Sequence, residues 1–469
     1  MTNITKADPS TFQKISWLFA ARKGFASNLI TVLGGQIACA LIALAVEILY
    51  ARLLGPEGRG QISLCLMAIA FGVLLGGLGG EIPMVIWTAD ANRRSAGRIF
   101  AILFWGLLGS VISSSLWIYI NSTWHPEFLK GVTPLLAILV LATIPVNIFL
   151  GYLMAALTGL ERFGTRVGLA LVDQVVGLLV FVILIVMFGR KTEFALLGSL
   201  SGSLIGAGVA AALLLKGFLG NFRELRLARE DLSSALSLGL RGQLGNIATF
   251  FNYRLDVFIV NYFLDPAQLG IYAVGVVVSE ALWQIPNAAA LALFPRTART
   301  IDQGAAEFTC RVVRQVFVIA CVSGLALGLV APIAIPLVFG ARFAPSIPVI
   351  FWILPGTVAL SLAKVISADL AARGKPQYSS IFAVVSLVAT LALDLILIPR
   401  MGIQGAALAS SSAYFLQSVL LAVTLKYQLK TSWRSLLIPS QMELTPYRQI
   451  WSRFKERSGM AGAAAGIND

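Results

Sequence analysis

Runs of about twenty or more nearly uncharged, apolar residues recur along the whole chain, and each is long enough to cross a bilayer as a helix. They fall near 27–50, 61–87, 99–120, 132–156, 168–188 and 194–215, then near 242–262, 271–294, 315–338, 347–371, 379–398 and 403–425. Of 469 residues, 58% are hydrophobic and 12% charged, about half the charged share of a soluble domain. No water-soluble fold of this length hides so much apolar surface. A chain that must satisfy its backbone in lipid through these runs is expected to be an all-α integral membrane protein with twelve transmembrane helices.

The remaining composition excludes several chemistries. Cys39, Cys65, Cys310 and Cys321 lie in or beside apolar runs without paired spacing, and read as small buried hydrophobes. The single histidine, His125, cannot build a zinc cluster or a His-based catalytic set. No catalytic residue, metal ligand or cofactor is expected. Residues 1–26 form a polar lead with Lys6, Lys14, Arg22 and Lys23, in which Phe12, Ile15, Trp17 and Phe19 suit a short amphipathic helix on the cytoplasmic membrane surface. The first apolar run, about 24 residues, is too long for a signal-peptide core and is expected to remain as a span.

Charge sets the orientation. With the N-terminus inside, 27 of the 36 Lys and Arg residues fall in cytoplasmic segments and 7 in outer links, while Arg254 and Lys364 lie within spans. That bias is the positive-inside pattern, and it places both termini in the cytoplasm, as expected for a multi-pass inner (plasma) membrane protein. It also accounts for the net charge of +14. Basic residues spread over seven inside segments, without a reader fold, do not indicate a nucleic-acid partner.

The outer link after the first span reads Leu54-Gly55-Pro56-Glu57-Gly58-Arg59-Gly60, and that after the seventh reads Leu264-Asp265-Pro266-Ala267-Gln268-Leu269-Gly270, the same L-x-P-x-x-x-G pattern 210 residues on. Gly159 and Phe163 are echoed 215 residues later by Gly374 and Tyr378. Two echoes at nearly one offset indicate a repeat of six plus six helices. The expected organisation is a six-helix lobe over 27–215, a cytoplasmic linker over 216–241, a second parallel lobe over 242–425 and a polar cytoplasmic tail over 426–469, with a central cavity between the lobes. The linker carries Arg223, Arg226, Arg229, Glu224, Glu230 and Asp231, and reads as a solvated interfacial helix. Gly72, Gly76 and Gly80, and Gly198, Gly202 and Gly206, recur every four residues and suit close helix contacts. Pro83, Pro286, Pro332, Pro336 and Pro355 interrupt spans at possible kinks.

The stretch Ala51-Arg52-Leu53-Leu54-Gly55-Pro56-Glu57-Gly58-Arg59-Gly60, the Arg254-Leu255-Asp256 element followed by Asp265-Pro266 and Gly270-Ile271-Tyr272, and Gly402-Ile403-Gln404-Gly405-Ala406-Ala407 together resemble the polysaccharide transporter (oligosaccharide flippase) family of the multidrug, oligosaccharidyl-lipid and polysaccharide exporter superfamily. The resemblance covers nearly the whole chain. It implies a two-lobed, twelve-helix transporter that alternates between inward-open and outward-open states and passes the sugar head group of a lipid-linked oligosaccharide through a polar cavity while its polyprenyl tail stays in membrane lipid. Polysaccharide polymerase or glycosyltransferase partners would fit such a pathway. Related lipid II flippases typically carry two more C-terminal helices, whereas residues 426–469 are polar and basic.

Charges embedded in spans are the candidates for function, because each is costly in hydrocarbon without a partner or water. Arg254 lies 12 residues into the seventh span, about 18 Å at 1.5 Å per residue, and Glu280 lies at the matching depth of the eighth, each 13 residues from Ala267. An Arg254 and Glu280 pair is expected, with Arg254 attracting the substrate diphosphate; a purely structural ion pair is the equal alternative. Lys364 is a second cationic candidate, placed where it could snorkel to the inner interface. Asp256, two residues from Arg254, faces away from it and could carry a coupling ion, H⁺ or Na⁺. Glu47, Asp173 and Asp394 could do the same, but sit near span ends and read as solvated. Asn246, Asn252, Asn261, Gln284 and Asn287 give the seventh and eighth spans a polar face, with Asn252 and Gln284 the expected substrate contacts.

A drug or cation antiporter of the same superfamily is the nearer alternative, although it would favour an acid-rich cavity without a central arginine. An enzyme acting on lipid-linked sugars is further off, since the outer links are about a dozen residues or fewer and hold no paired carboxylates.

Overall fold

The computed structural model describes residues 9–90, 96–123, 130–218, 229–299 and 303–437. His125, Arg223, Glu224, Arg226, the start of the N-terminal lead and most of the C-terminal tail lie outside the described residues.

The described chain is helical, with no strand among those residues: α1 Pro9–Gly76, α2 Glu81–Ala89, α3 Ala96–Thr123, α4 Pro134–Gly159, α5 Phe163–Phe188, α6 Glu193–Phe218, α7 Arg229–Phe263, α8 Pro266–Glu280, α9 Gln284–Arg299, α10 Gln303–Val338, α11 Ser346–Ala372, α12 Gln377–Met401, α13 Ile403–Leu429 and the short α14 Trp433–Leu437. Among the described residues, ten helical stretches are long and apolar enough to cross a membrane. One of them, Gly34–Gly76, is 43 residues long, twice a single crossing. α7, at 35 residues, is long enough but too polar to be counted by hydropathy. Together these give the twelve segments expected from the sequence. On α10 the side chains of Leu325, Leu329, Ile333 and Leu337, four residues apart, are about 70% exposed, a stripe that only lipid would cover at no cost.

The first outer link is shorter than its composition suggests. α1 breaks at one residue, Gly55 (φ 71°, ψ −174°), a left-handed conformation open to glycine. Pro56 then opens the second half of α1, where its missing N–H is not needed, so residues 56–60 are helix and not loop. In the second copy Pro266 again opens the helix, and Asp265 accepts a hydrogen bond from the Gln268 N–H at 2.8 Å in the N-cap role. The two copies meet. A Cβ added to Gly60 would lie 1.7 Å from the Pro266 carbonyl oxygen, and one added to Gly270 would lie 1.9 Å from the Pro56 carbonyl oxygen. The contact is reciprocal at the offset of the repeat, so both closing glycines are required by backbone against backbone.

The second echo is looser. Gly374 has a positive φ of 74° between α11 and α12, but in the corresponding turn that conformation belongs to Glu161 (φ 57°), while Gly159 packs against Thr88 and Val85. The turns correspond and the glycines do not. Among the prolines, α10 runs on through Pro332 and Pro336 and α11 through Pro355. The eighth span, by contrast, is interrupted by a 3-10 turn at Ala281–Trp283, three residues before Pro286, whose ring and missing N–H disturb the preceding turn.

The chain divides into two compact units. The first takes in Met1–Val277, Ala331–Val349 and Thr390–Ala409. Within it, small residues bring helices together as their spacing suggests: a Cβ on Gly109 of α3 would meet the Gly76 oxygen at 1.9 Å, and one on Gly198 of α6 would meet the Gly177 oxygen of α5 at 2.4 Å. Gly206 makes no such approach. Tyr152, fully buried, donates to the Gly77 oxygen at 2.7 Å where the helix opens between α1 and α2. The described end of the linker is anchored: Arg98 pairs with Asp231 at 3.0 Å, and the Trp105 indole N–H donates to the Leu232 oxygen at 2.9 Å.

The second unit takes in Val278–Val330, Ile350–Ala389 and Ser410–Asp469. Its buried Asp369 accepts from Thr309 at 2.7 Å and pairs with Arg373 at 2.7 Å. The Gly356 N–H donates to Ser411 Oγ at 2.9 Å, joining α11 to α13.

Candidate functional site

α7 is the polar helix of the chain, and the second half of α1 holds it at several levels. Phe71 lies 5.2 Å from Phe251, 6.3 Å from Phe250 and 6.4 Å from Phe258, ring centre to ring centre. Gln243 donates to the Leu74 oxygen below this cluster, and Gly60 packs against Pro266 beyond the other end of α7. On this helix Asn252 and Asn261 are buried, Arg254 is half-buried and Asn246 is exposed. Polar side chains of one helix are therefore split between a packed face and an open one.

The packed face carries the most unusual chemistry. Asp256 is 3% exposed; its Oδ1 accepts from the Val257 N–H at 2.8 Å and its Oδ2 from the Tyr272 hydroxyl of α8. Asp394 of α12 is completely buried, and neither of its oxygens has a hydrogen-bond partner among the described residues. One turn before Asp394, buried Thr390 donates to Asn252 Oδ1 at 3.4 Å. Asn252 with Asp256, and Thr390 with Asp394, are two i,i+4 pairs, each along one stripe of its helix. Burial removes the water that would solvate carboxyl groups, so oxygens placed here are candidates for holding a proton or a cation.

The expectation that Asp394 is solvated is therefore corrected. Nearness to a span end fixes depth along the helix, whereas the face of α12 that carries Asp394 is turned into the protein. Asp173 is also only partly exposed, and one oxygen accepts from the buried Ser203 at 3.2 Å. Glu47, 20% exposed, is held by buried Arg59, which also donates to Ser63. None of these three is a free surface carboxylate.

Lys364, in the second unit, does not need to snorkel. Its Nζ sits 4.6 Å from the centre of the Trp283 ring, a cation–π contact, and Trp283 meets Tyr414 edge-on at 5.9 Å. Gln284, next in sequence, is exposed, as is Asn287. Glu280 is half-buried at the end of α8 and belongs to the second unit, whereas Arg254 belongs to the first. Among the described residues no group of three or more His, Cys, Asp or Glu side chains could hold a metal ion.

Comparison of the chain's sequence with functionally curated proteins yields no match. Its fold is similar to that of a solved structure described as lipid II flippase MurJ in an inward closed conformation (TM-score 0.70, 14% identity, 86% of this chain and 88% of that one). It is also similar to an outward-facing multidrug resistance MATE family transporter of the MOP superfamily (TM-score 0.59, 17% identity, 87% and 97%) and to a eukaryotic MATE transporter, AtDTX14 (TM-score 0.57, 15% identity, 86% and 97%). At such identities these likenesses establish the fold alone, that of an all-α multi-pass membrane protein. Residues 49–348 match the family model described as polysaccharide biosynthesis protein, and with well over half its length matched the chain belongs to that family.

Proposed function

We propose that this protein is a flippase that carries a polyprenyl-diphosphate-linked oligosaccharide across the bacterial inner membrane by alternating access, for cell-surface or exopolysaccharide synthesis. The observation that carries the reading is α7: a 35-residue helix of a membrane bundle, too polar to count as a span, packed on one side and presenting Asn246 and half-buried Arg254 on the other. Such a helix suits the wall of a hydrated path, because lipid could not solvate it. Family membership ties the path to polysaccharide synthesis.

In this mechanism the two six-helix lobes rock about the substrate, with both termini in the cytoplasm. Arg254 attracts the diphosphate through its guanidinium, whose planar fork suits phosphate oxygens. Lys364, Asn252 and Gln284 contact the sugar or its phosphate. Asp256 and Asp394 hold the coupling ion, H⁺ or Na⁺; carboxylate, hydroxyl and amide oxygens are the donors for a hard cation. The residues move a lipid and make or break no bond, so the protein works as a transporter beside the polymerase or glycosyltransferases of its pathway.

The test is binding. Purified protein in nanodiscs is titrated with an undecaprenyl-diphosphate oligosaccharide and, separately, with a lipophilic cationic drug. The flippase reading expects saturable binding of the diphosphate lipid that weakens about tenfold to a hundredfold in Arg254→Ala, the loss of a charged hydrogen bond of about 1.5–3 kcal/mol, with partial recovery in Arg254→Lys. Binding of the cation alone would replace the flippase with a drug antiporter.

A further inference from the structure

A cavity of about 360 Å³ opens in the first unit where α1 breaks at Gly55. Its lining brings three arginines from three segments far apart in sequence: Arg52 at the end of the first half of α1, Arg190 between α5 and α6, and Arg342 between α10 and α11. Glu57 is the one acid among the lining residues, leaving a formal side-chain charge of +2. Arg52 is engaged: its Nε donates to the Val338 oxygen at 2.7 Å and its Nη2 to the Leu337 oxygen, capping the C-terminal end of α10. Arg190 and Arg342 make no hydrogen bond or ion pair among the described residues, and neither does Glu57. Thr192, also in the lining, donates to Gln61 Oε1 at 2.8 Å, which leaves the Gln61 amide N–H groups as donors.

Arg190 and Arg342 are both solvent-exposed, so their guanidinium groups are open to a ligand from outside the protein. The charge bias sharpens the point. By the orientation read from the sequence this is the outer end, where only 7 of 36 Lys and Arg residues lie, and three of those seven line one cavity. We propose that this cavity is a binding site for a phosphate-bearing anion, with Arg190 and Arg342 as its ligands and Gln61 as a further donor. Guanidinium forks from two links recognise phosphate oxygens in pairs. The space, about a dozen water volumes at roughly 30 Å³ each, takes a phosphate or diphosphate group. Since Arg52 already ties α1 to α10, a bound anion clamps the α5–α6 and α10–α11 links to the same joint and holds this end closed. The site is separate from Arg254 and does not depend on the transported substrate.

The experiment uses the full chain in nanodiscs and reads thermal stability and direct binding. One arm adds inorganic pyrophosphate to protein in phosphatidylcholine discs, against sodium sulfate at equal ionic strength. The other compares phosphatidylcholine discs with discs containing phosphatidylglycerol, without added anion. The variants are the double Arg190→Gln, Arg342→Gln, and Glu57→Gln. A soluble phosphate ligand gives saturable pyrophosphate stabilisation that exceeds sulfate, falls at least tenfold in affinity in the double variant and rises a few-fold in Glu57→Gln. A lipid headgroup gives stabilisation by phosphatidylglycerol that the double variant loses and Glu57→Gln increases. The gain in Glu57→Gln separates loss of a site from a damaged fold. If neither anion stabilises the protein, or if the double variant and Glu57→Gln respond as the wild type does, the site does not exist.

Discussion

The reciprocal contact of Gly60 and Gly270 can be tested by adding one methyl group to each. An alanine at 60 places its Cβ 1.7 Å from the Pro266 oxygen, and an alanine at 270 places its Cβ 1.9 Å from the Pro56 oxygen. A relaxed carbon–oxygen contact needs about 3.3 Å, so either substitution must part the two helix starts by about 1.5 Å. The obstructing atoms are backbone and cannot rotate aside. Overpacking of this kind costs about 1–3 kcal/mol, and if the joint exists only while this end is closed, the open state gains by about 5–150-fold. Asn261, two residues before the end of α7 and completely buried, reports the opening. In a background without the four native cysteines, Asn261→Cys should react with a membrane-impermeant maleimide at least fivefold faster in Gly60→Ala and in Gly270→Ala. One parting movement relieves both clashes, so the double variant should react little faster than either single. Labelling at the wild-type rate in the single variants, or a double-variant acceleration equal to the product of the singles, would refute the joint as a closing contact.

Three further outcomes are expected. Asp394→Asn replaces a buried carboxyl group whose oxygens have no hydrogen-bond partner among the described residues while keeping its shape, so thermal stability should hold or rise while transport loses its dependence on an imposed H⁺ or Na⁺ gradient; retained dependence would remove Asp394 from coupling. Lys364→Met and Trp283→Leu should show a coupling of about 0.5–2 kcal/mol in a double-mutant cycle, read by thermal denaturation in detergent, whereas additive effects would mean that the cation–π contact contributes nothing. Reporter fusions at either end should place both termini in the cytoplasm, and a C-terminal fusion active outside would invert the charge-based orientation.

Much of the fold was legible because lipid leaves a chain few choices. Span length gives the helices directly, and the L-x-P-x-x-x-G repeat marks the two segments that pack against each other. What composition overstated was the first link: a stretch rich in Gly and Pro reads as loop, yet Pro56 sits where a helix begins and only Gly55 leaves helical geometry. The site was less legible. Asp256 stood out by depth, but Asp394 was read as solvated because depth says nothing about which face of α12 packs inward. The signal that could have found it is the i,i+4 pairing of Thr390 with Asp394 beside that of Asn252 with Asp256, a polar stripe on each of two helices. Lys364 shows the same limit: its partner, Trp283, is 81 residues away in sequence, and only folding brings the ring beneath the ammonium.

The central claim is movement of a lipid-linked sugar, and the direct measurement follows a fluorescent undecaprenyl-diphosphate oligosaccharide in proteoliposomes, scored by the fraction open to a quencher outside. With the wild-type protein and an imposed ion gradient, the labelled lipid should cross between leaflets faster than in empty liposomes, and Arg254→Ala, folded by size-exclusion profile, should return the rate toward the empty-liposome value. A wild-type rate equal to that of empty liposomes would contradict the account.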